Sequence, residues 1–158
     1  MVDPTTDKFT AIRNRIWKLA RGKIVSLGCG ECPDLYDKEP MDYTGIDILE
    51  PSLDIAKQKY PFAKFIHCDL RQTNLPSHEF DTVLMIGCLD AFNNFIQPIQ
   101  EARRLVKEDG IIIATVFNGN VGFGDHKWMT IEEAAENLGF RPKHHEHIID
   151  NDIYLLIL

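Results

Sequence analysis

Short apolar runs alternate with longer amphipathic stretches along this chain. The runs are Lys23–Leu27, Tyr43–Asp47, Lys64–His67, Thr82–Ile86 and Ile111–Phe117, four to seven residues each and several rich in β-branched side chains. Runs of that length without strict alternation fit strands covered on both faces, as in a parallel sheet. Between them, Phe9, Ile12, Ile16, Leu19 and Ala20 recur at three-to-four-residue spacing. Ile96, Ile99, Ala102, Leu105 and Val106 do the same, and Leu53, Ala56 and Tyr60 roughly so. Each set predicts a helix with one buried stripe. The rhythm as a whole is that of βαβ units, so five parallel strands with helical crossovers are expected.

Local punctuation extends the pattern. Asp109-Gly110 is expected to stop the helix ending near Glu108 and to feed the Ile111 strand. Thr130 followed by Glu133 reads as a capping box for a helix over Ile131–Leu138, with Gly139 as its stop. Lys143–Ile149, an Asp150-Asn151-Asp152 turn and Ile153–Leu158 then predict two antiparallel strands. Together these give a seven-stranded sheet whose last strand runs against the others. Right-handed crossovers place a ligand beyond the carboxyl ends of the strands, next to the first strand, where the strand order reverses.

Composition narrows the class. The chain has 158 residues, 44% of them apolar and 26% charged, which suits a single globular domain. No repeat or linker divides it. Residues 1–21 are expected to form an N-terminal helix, 22–118 the ligand-binding core, and 119–158 a substrate-side loop, a last helix and the hairpin. The longest unbroken apolar stretch, Ile153–Leu158, is far short of the ~20 residues of a membrane helix. With no apolar signal core at the N-terminus either, no membrane association is expected and the cytoplasm is the expected compartment. The net charge of −7 disfavours nucleic acid as a partner. Residues 1–23 hold six basic groups against two acidic ones, read as a solvated basic helix. Four cysteines, Cys29, Cys32, Cys68 and Cys88, are too few for a disulfide scaffold and are expected to be reduced.

The chemistry gathers at the predicted strand ends. The first strand runs into Gly28-Cys29-Gly30, where a glycine allows a positive-φ bend and close approach of a ligand to the main chain. The second ends in Asp47, 17 residues after Gly30, where a carboxylate can accept both hydroxyls of a ribose. A dinucleotide fingerprint would continue to a third glycine, but Pro33 stands there without an N–H for a pyrophosphate, so NAD is disfavoured. The third and fourth strands end in Cys68-Asp69-Leu70 and Gly87-Cys88-Leu89-Asp90, at the same edge. An adenine fits a slot with apolar walls and a carboxylate to accept its amine.

Val25-Ser-Leu-Gly-Cys-Gly30, Gly45-Ile-Asp47, Cys68-Asp69-Leu70, Phe80-Asp-Thr-Val-Leu-Met-Ile86 and Leu105-Val-Lys-Glu-Asp-Gly110 follow one another in order and spacing. In this conjunction the chain resembles the class I S-adenosylmethionine-dependent methyltransferases, small-molecule type, over roughly residues 22–118. The resemblance implies an α/β, Rossmann-like three-layer sandwich with S-adenosyl-L-methionine as cofactor. It further implies that Gly28, Cys29 and Gly30 pass under the methionine part, Asp47 binds the ribose and Ile48 packs on adenine. Asp69 would meet the adenine amine with Leu70 beside it, and Gly87-Cys88 would lie near the sulfonium. The sequence departs from the family at Cys32-Pro33, and it lacks the Asn-Pro-Pro-Tyr type of motif that base-amine methylation uses.

Other readings compete for some residues. The four cysteines at neighbouring strand ends could suit a metal or thiol chemistry, although zinc sites usually pair two close C-x-x-C motifs; no metal is expected. His144, His145 and His147 read as solvated edge positions, while His126 and Asp90 are the candidates for a catalytic role. Trp17 reads as core packing, and Phe92, Phe123 and Trp128 flank the predicted crevice. The expected activity is methyl transfer to a small-molecule oxygen, nitrogen or carbon acceptor, with a protein partner or homodimer completing a shallow acceptor site. The alternative is a catalytically silent subunit that binds S-adenosylmethionine.

Overall fold

A computed structural model describes residues 7–87, 96–117, 120–122, 128–130, 141–148 and 151–157. Helix α1 (Asp7–Leu19) leads into β1 (Ile24–Leu27), and a single 3-10 turn over Pro33–Leu35 precedes β2 (Tyr43–Asp47). Then follow α2 (Glu50–Lys59), β3 (Lys64–His67), β4 (Phe80–Ile86), α3 (Ile96–Leu105) and β5 (Val106–Phe117). β1 to β5 are parallel, in the order β3-β2-β1-β4-β5. Beyond β5 the order continues with β9 (Asn151–Ile157), antiparallel to β5, and β8 (Arg141–Ile148), antiparallel to β9. A separate two-stranded ribbon joins β6 (Asn120–Gly122) to β7 (Trp128–Thr130).

The continuous apolar runs have a direct cause: every residue of β1 and β2 is buried. Strand residues alternate between two helical layers. Ile24, Tyr43, Leu84, Ile111 and Ile113 pack with Ile12 and Ile16 of α1 and Leu53 and Ala56 of α2. Val25, Leu27, Ile46, Val83, Met85, Ile112 and Ala114 pack with Ile99, Ala102 and Leu105 of α3. The helical stripes legible in the spacing are therefore the buried faces. β3 lies at the sheet's edge and is mostly exposed.

Three local expectations change. The helix expected to end near Glu108 stops at Leu105, and Asp109-Gly110 lies in an irregularity of β5 between the pairs Phe80↔Val106 and Thr82↔Ile111. The backbone N–H groups of His78 and Glu79 donate to the carbonyls of Arg104 and Leu105 at 2.9 and 3.1 Å, capping the helix early. A Cβ on Gly110 would come within 2.9 Å of the Asp81 carbonyl, so close approach of two backbones accounts for this glycine. The first crossover, given only 12 residues between Gly30 and Tyr43, forms one tight turn. Arg13, expected on a solvated basic face, is 2% exposed, pairs with Asp37 and stacks over the Tyr36 ring. The helix expected over 131–138 lies outside the described residues.

Candidate functional site

The chain steps from β1 to β2 on one side and from β3 back to β4 on the other, so the strand order reverses at β1. A crevice outside the carboxyl ends of the flanking strands is where such sheets bind ligands. Gly28, Cys29, Gly30, Asp47, Ile48 and Gly87 all lie at those ends of β1, β2 and β4, and Asp69 and Leu70 follow β3. Cys88, Asp90 and His126 lie outside the described residues.

Two of these groups touch. The Gly30 N–H donates to Asp47 Oδ2 at 2.8 Å, and the Leu49 N–H donates to Oδ1 at 2.8 Å. Asp47 is 9% exposed, and each of its oxygens, with two acceptor sites, takes one of these amide bonds. That leaves a fixed, two-pronged acceptor matched to a vicinal diol. Gly28 and Gly30 have φ of 70° and 57°, the left-handed conformation in which glycine carries no Cβ penalty. A Cβ placed on Gly30 or Gly87 would meet no atom within 4 Å, so both glycines face open space at the edge where a ligand would pass. The Gly87 N–H is fastened to Thr115 Oγ1 at 2.9 Å, which ties the ends of β4 and β5.

Ile48 and Leu49 are about 60% exposed, a large apolar surface beside the Asp47 carboxylate and suited to one face of a base. Asp69 is bound by Arg71: Oδ2 accepts Nη2 at 2.6 Å and Oδ1 accepts the Arg71 backbone N–H at 2.9 Å. The Arg71 hydrogen bonds hold the Asp69 carboxyl below the usual range, so it is an ionised acceptor. Leu70 is 8% exposed and belongs to the core under α3.

Beneath the glycine bend lies a polar cluster that the sequence did not single out. Tyr43 Oη donates to Asp34 Oδ2 at 2.8 Å, and Cys32 Sγ sits 3.7 Å from Tyr43 Oη. The Trp17 indole of α1 donates to the Asp34 carbonyl at 2.7 Å. Burial pushes the Asp34 carboxyl up to about 6, against the pull of Tyr43 and Arg13. Burial, the Cys29 side chain and the Asp34 charge also push the Cys32 thiol far up, so it stays protonated. Cys32, an αL residue with φ 55°, and the turn Pro33–Leu35 occupy the place of a longer crossover helix. Among the described residues, no group of three His, Cys, Asp or Glu side chains is arranged to hold a metal ion.

The methyltransferase-domain family matches residues 25–114, more than half of the sequence. The chain belongs to that family. As the conjunction of its motifs implied, it is a methyltransferase domain. A malonyl-[acyl-carrier protein] O-methyltransferase of Paenibacillus sp. is 24% identical over 144 residues, covering 84% of this chain and 51% of that protein. This methyltransferase domain spans about half the length of the curated relatives it matches. An S-adenosylmethionine-dependent methyltransferase from Mesorhizobium loti shares the fold with a TM-score of 0.75 at 14% identity, over 96% of this chain and 98% of that one. A 1,6-didemethyltoxoflavin-N1-methyltransferase from Burkholderia thailandensis, solved with S-adenosylhomocysteine bound, gives 0.71 at 16% identity, over 93% of this chain and 75% of that one.

Proposed function

We propose that the chain transfers the methyl group of S-adenosylmethionine to a small-molecule oxygen, nitrogen or carbon nucleophile. The observation that carries the reading is the Asp47 carboxylate, fixed by the Gly30 and Leu49 amides at the reversal of the strand order, beside the open space at Gly30. In this proposal Asp47 accepts the two ribose hydroxyls, at about 1.5–3 kcal/mol each for a charged acceptor. Gly28, Cys29 and Gly30 pass beneath the methionine part, Ile48 packs on the adenine, Asp69 accepts its amine with Leu70 behind it, and Gly87 and Cys88 border the sulfonium.

The bound cofactor supplies an electrophilic methyl on a sulfonium, so transfer needs alignment more than covalent assistance. The protein's work is then to bind, orient and shield. Asp90 and His126 remain the proposed groups for taking up an acceptor proton.

The full architecture belongs to the same proposal: a seven-stranded sheet whose last strand is antiparallel, supported by the β5–β9 and β9–β8 pairings. A cytoplasmic location and a protein partner or second copy completing the acceptor side are part of it as well. No helix among the described residues is long and apolar enough to cross a membrane. Relatives with an O-methyltransferase and an N1-methyltransferase name leave both acceptor atoms in view. The test is formation of S-adenosylhomocysteine by the isolated chain with a panel of carboxylate, phenol and heterocyclic amine acceptors. Turnover with one class supports the enzyme, whereas tight cofactor binding without turnover on any supports the silent subunit.

A further inference from the structure

Residues 68–79 carry the chain from β3 to β4 without a helix, an arrangement that ordinarily leaves a segment free to move. Here the end of the segment is held by the helix-capping bonds of His78 and Glu79, and its first part is fastened to α3 around one buried carboxylate. Glu101, 8% exposed, accepts the Thr73 N–H at 3.1 Å and the Thr73 hydroxyl at 2.7 Å on Oε1. Its Oε2 accepts Arg104 Nε at 3.0 Å, and Oε1 also accepts Arg104 Nη2 at 2.5 Å. Arg104 Nη1 continues the grip on the segment, donating to the Leu75 carbonyl at 2.7 Å and to Ser77 Oγ at 2.9 Å. Thr73 is itself 5% exposed, and the Leu75 N–H donates to its hydroxyl at 3.2 Å.

The segment also holds two residues other than glycine in left-handed conformations, Asn74 at φ 59° and His78 at φ 55°. Such a backbone persists when its surroundings fix it. Burial works against an ionised Glu101, but the Arg104 and Thr73 hydrogen bonds outweigh it and hold the carboxyl below its usual range. The carboxylate is thus a charged anchor with four donors on it, joining the first part of the segment to α3, whereas the backbone bonds of His78 and Glu79 to Arg104 and Leu105 join only its last two residues. Upstream of Thr73 the Gln72 N–H donates to the Asp69 carbonyl at 3.1 Å, so the anchored residue is four positions from Asp69 and directly follows the tight turn that Asp69 opens.

We infer that Glu101 is a positioning residue for the nucleoside end of the cofactor: acting through Thr73, it sets where the Asp69 carboxylate stands relative to the adenine amine. This rests on the reading of Asp69 as the adenine acceptor. Neither Glu101 nor Thr73 touches the ligand in this account. A network that only held the fold together would alter stability and weaken all ligands alike. A network that places Asp69 alters the choice between bases.

The readout is therefore a ratio. The full chain is titrated with S-adenosylhomocysteine and with S-inosylhomocysteine, whose base carries an oxygen in place of the amine. The parent is expected to prefer the adenine compound. Thr73→Val, which keeps the shape and removes the hydroxyl, should narrow that preference by about fivefold, and Thr73→Ser should restore it. Glu101→Gln should shift the ratio in the same direction, and it serves the same purpose if Thr73→Val does not fold. An unchanged ratio in the folded variants overturns the inference even where melting temperature falls. A parent that binds neither compound, or binds both equally, overturns the reading of Asp69 and the inference with it, and does so before any variant is made.

Discussion

The backbone N–H of Gly30 and the Asp47 carboxylate are joined at 2.8 Å, so the bend after β1 and the tip of β2 are fastened directly to each other. The relationship explains why these two groups belong to one site. The bend sets the orientation of the carboxylate, and the carboxylate in turn holds an amide of a left-handed residue. A site whose parts brace one another in advance loses less entropy on binding than one that must assemble.

Gly30→Ala probes the bend. An alanine at φ 57° costs about 1 kcal/mol of conformational energy, with no protein atom in the way of its methyl. The methyl would instead project into the open edge, so affinity for S-adenosylhomocysteine should fall by more than about tenfold, equivalent to about 1.4 kcal/mol. Gly87→Ala, at φ 64°, should behave alike. Thermal melts and calorimetric titrations read the two effects separately. A variant that loses stability and keeps its affinity would place the ligand elsewhere.

Asp34 makes a prediction about pH. Its folded-state carboxyl titrates near 6 and its unfolded one near 3.8, so folding takes up a proton between these values. Its contribution is most favourable below the unfolded value and is lost as pH rises through the folded one. At neutral pH the buried carboxylate costs on the order of 2–3 kcal/mol. Asp34→Asn keeps an acceptor for Tyr43 and removes the charge. It should be more stable than the parent at pH 7.5 and nearly equal to it at pH 4, measured by urea unfolding. A variant less stable than the parent at pH 7.5 would mean that Asp34 is held as a favourable ion.

The buried thiols give a third test. Cys32 is fully buried and its thiol is pushed far above the ordinary range. It should resist iodoacetamide in the folded protein at pH 8 and react on unfolding, as mass spectrometry of the labelled peptides would show. Added zinc should leave the labelling pattern unchanged. Fast native labelling of Cys32, or protection of Cys29 and Cys32 by zinc, would revive the thiol or metal reading of the C-x-x-C.

Much of this was legible in the sequence because period and burial agree. β2 and β3 begin and end where the apolar runs do, and Ile12, Ile16, Leu53, Ala56, Ile99 and Ala102 are buried stripe positions. The end of α3 was misread because Asp109-Gly110 resembles a helix stop. Its terminal carbonyls are instead taken by His78 and Glu79, a tertiary contact invisible to local patterns. Charge pattern misled at Arg13, whose guanidinium is buried against Tyr36 and Asp37. At the site, Gly30 and Asp47 stood out because a glycine after a strand and an acid at a strand tip each have a mechanism. Asp34, Tyr43, Thr73 and Glu101 carried no such signal. A polar side chain becomes conspicuous when burial removes its water, and burial of an isolated polar residue follows from the tertiary fold.

The central claim is that Asp47 holds the ribose of the cofactor. Isothermal titration with S-adenosylhomocysteine on the parent and on Asp47→Ala addresses it directly. The parent should bind one equivalent, and the variant, folded by circular dichroism, should bind at least about a hundredfold more weakly, the loss of two hydrogen bonds to a charged acceptor. Equal affinity in the two proteins would contradict the account.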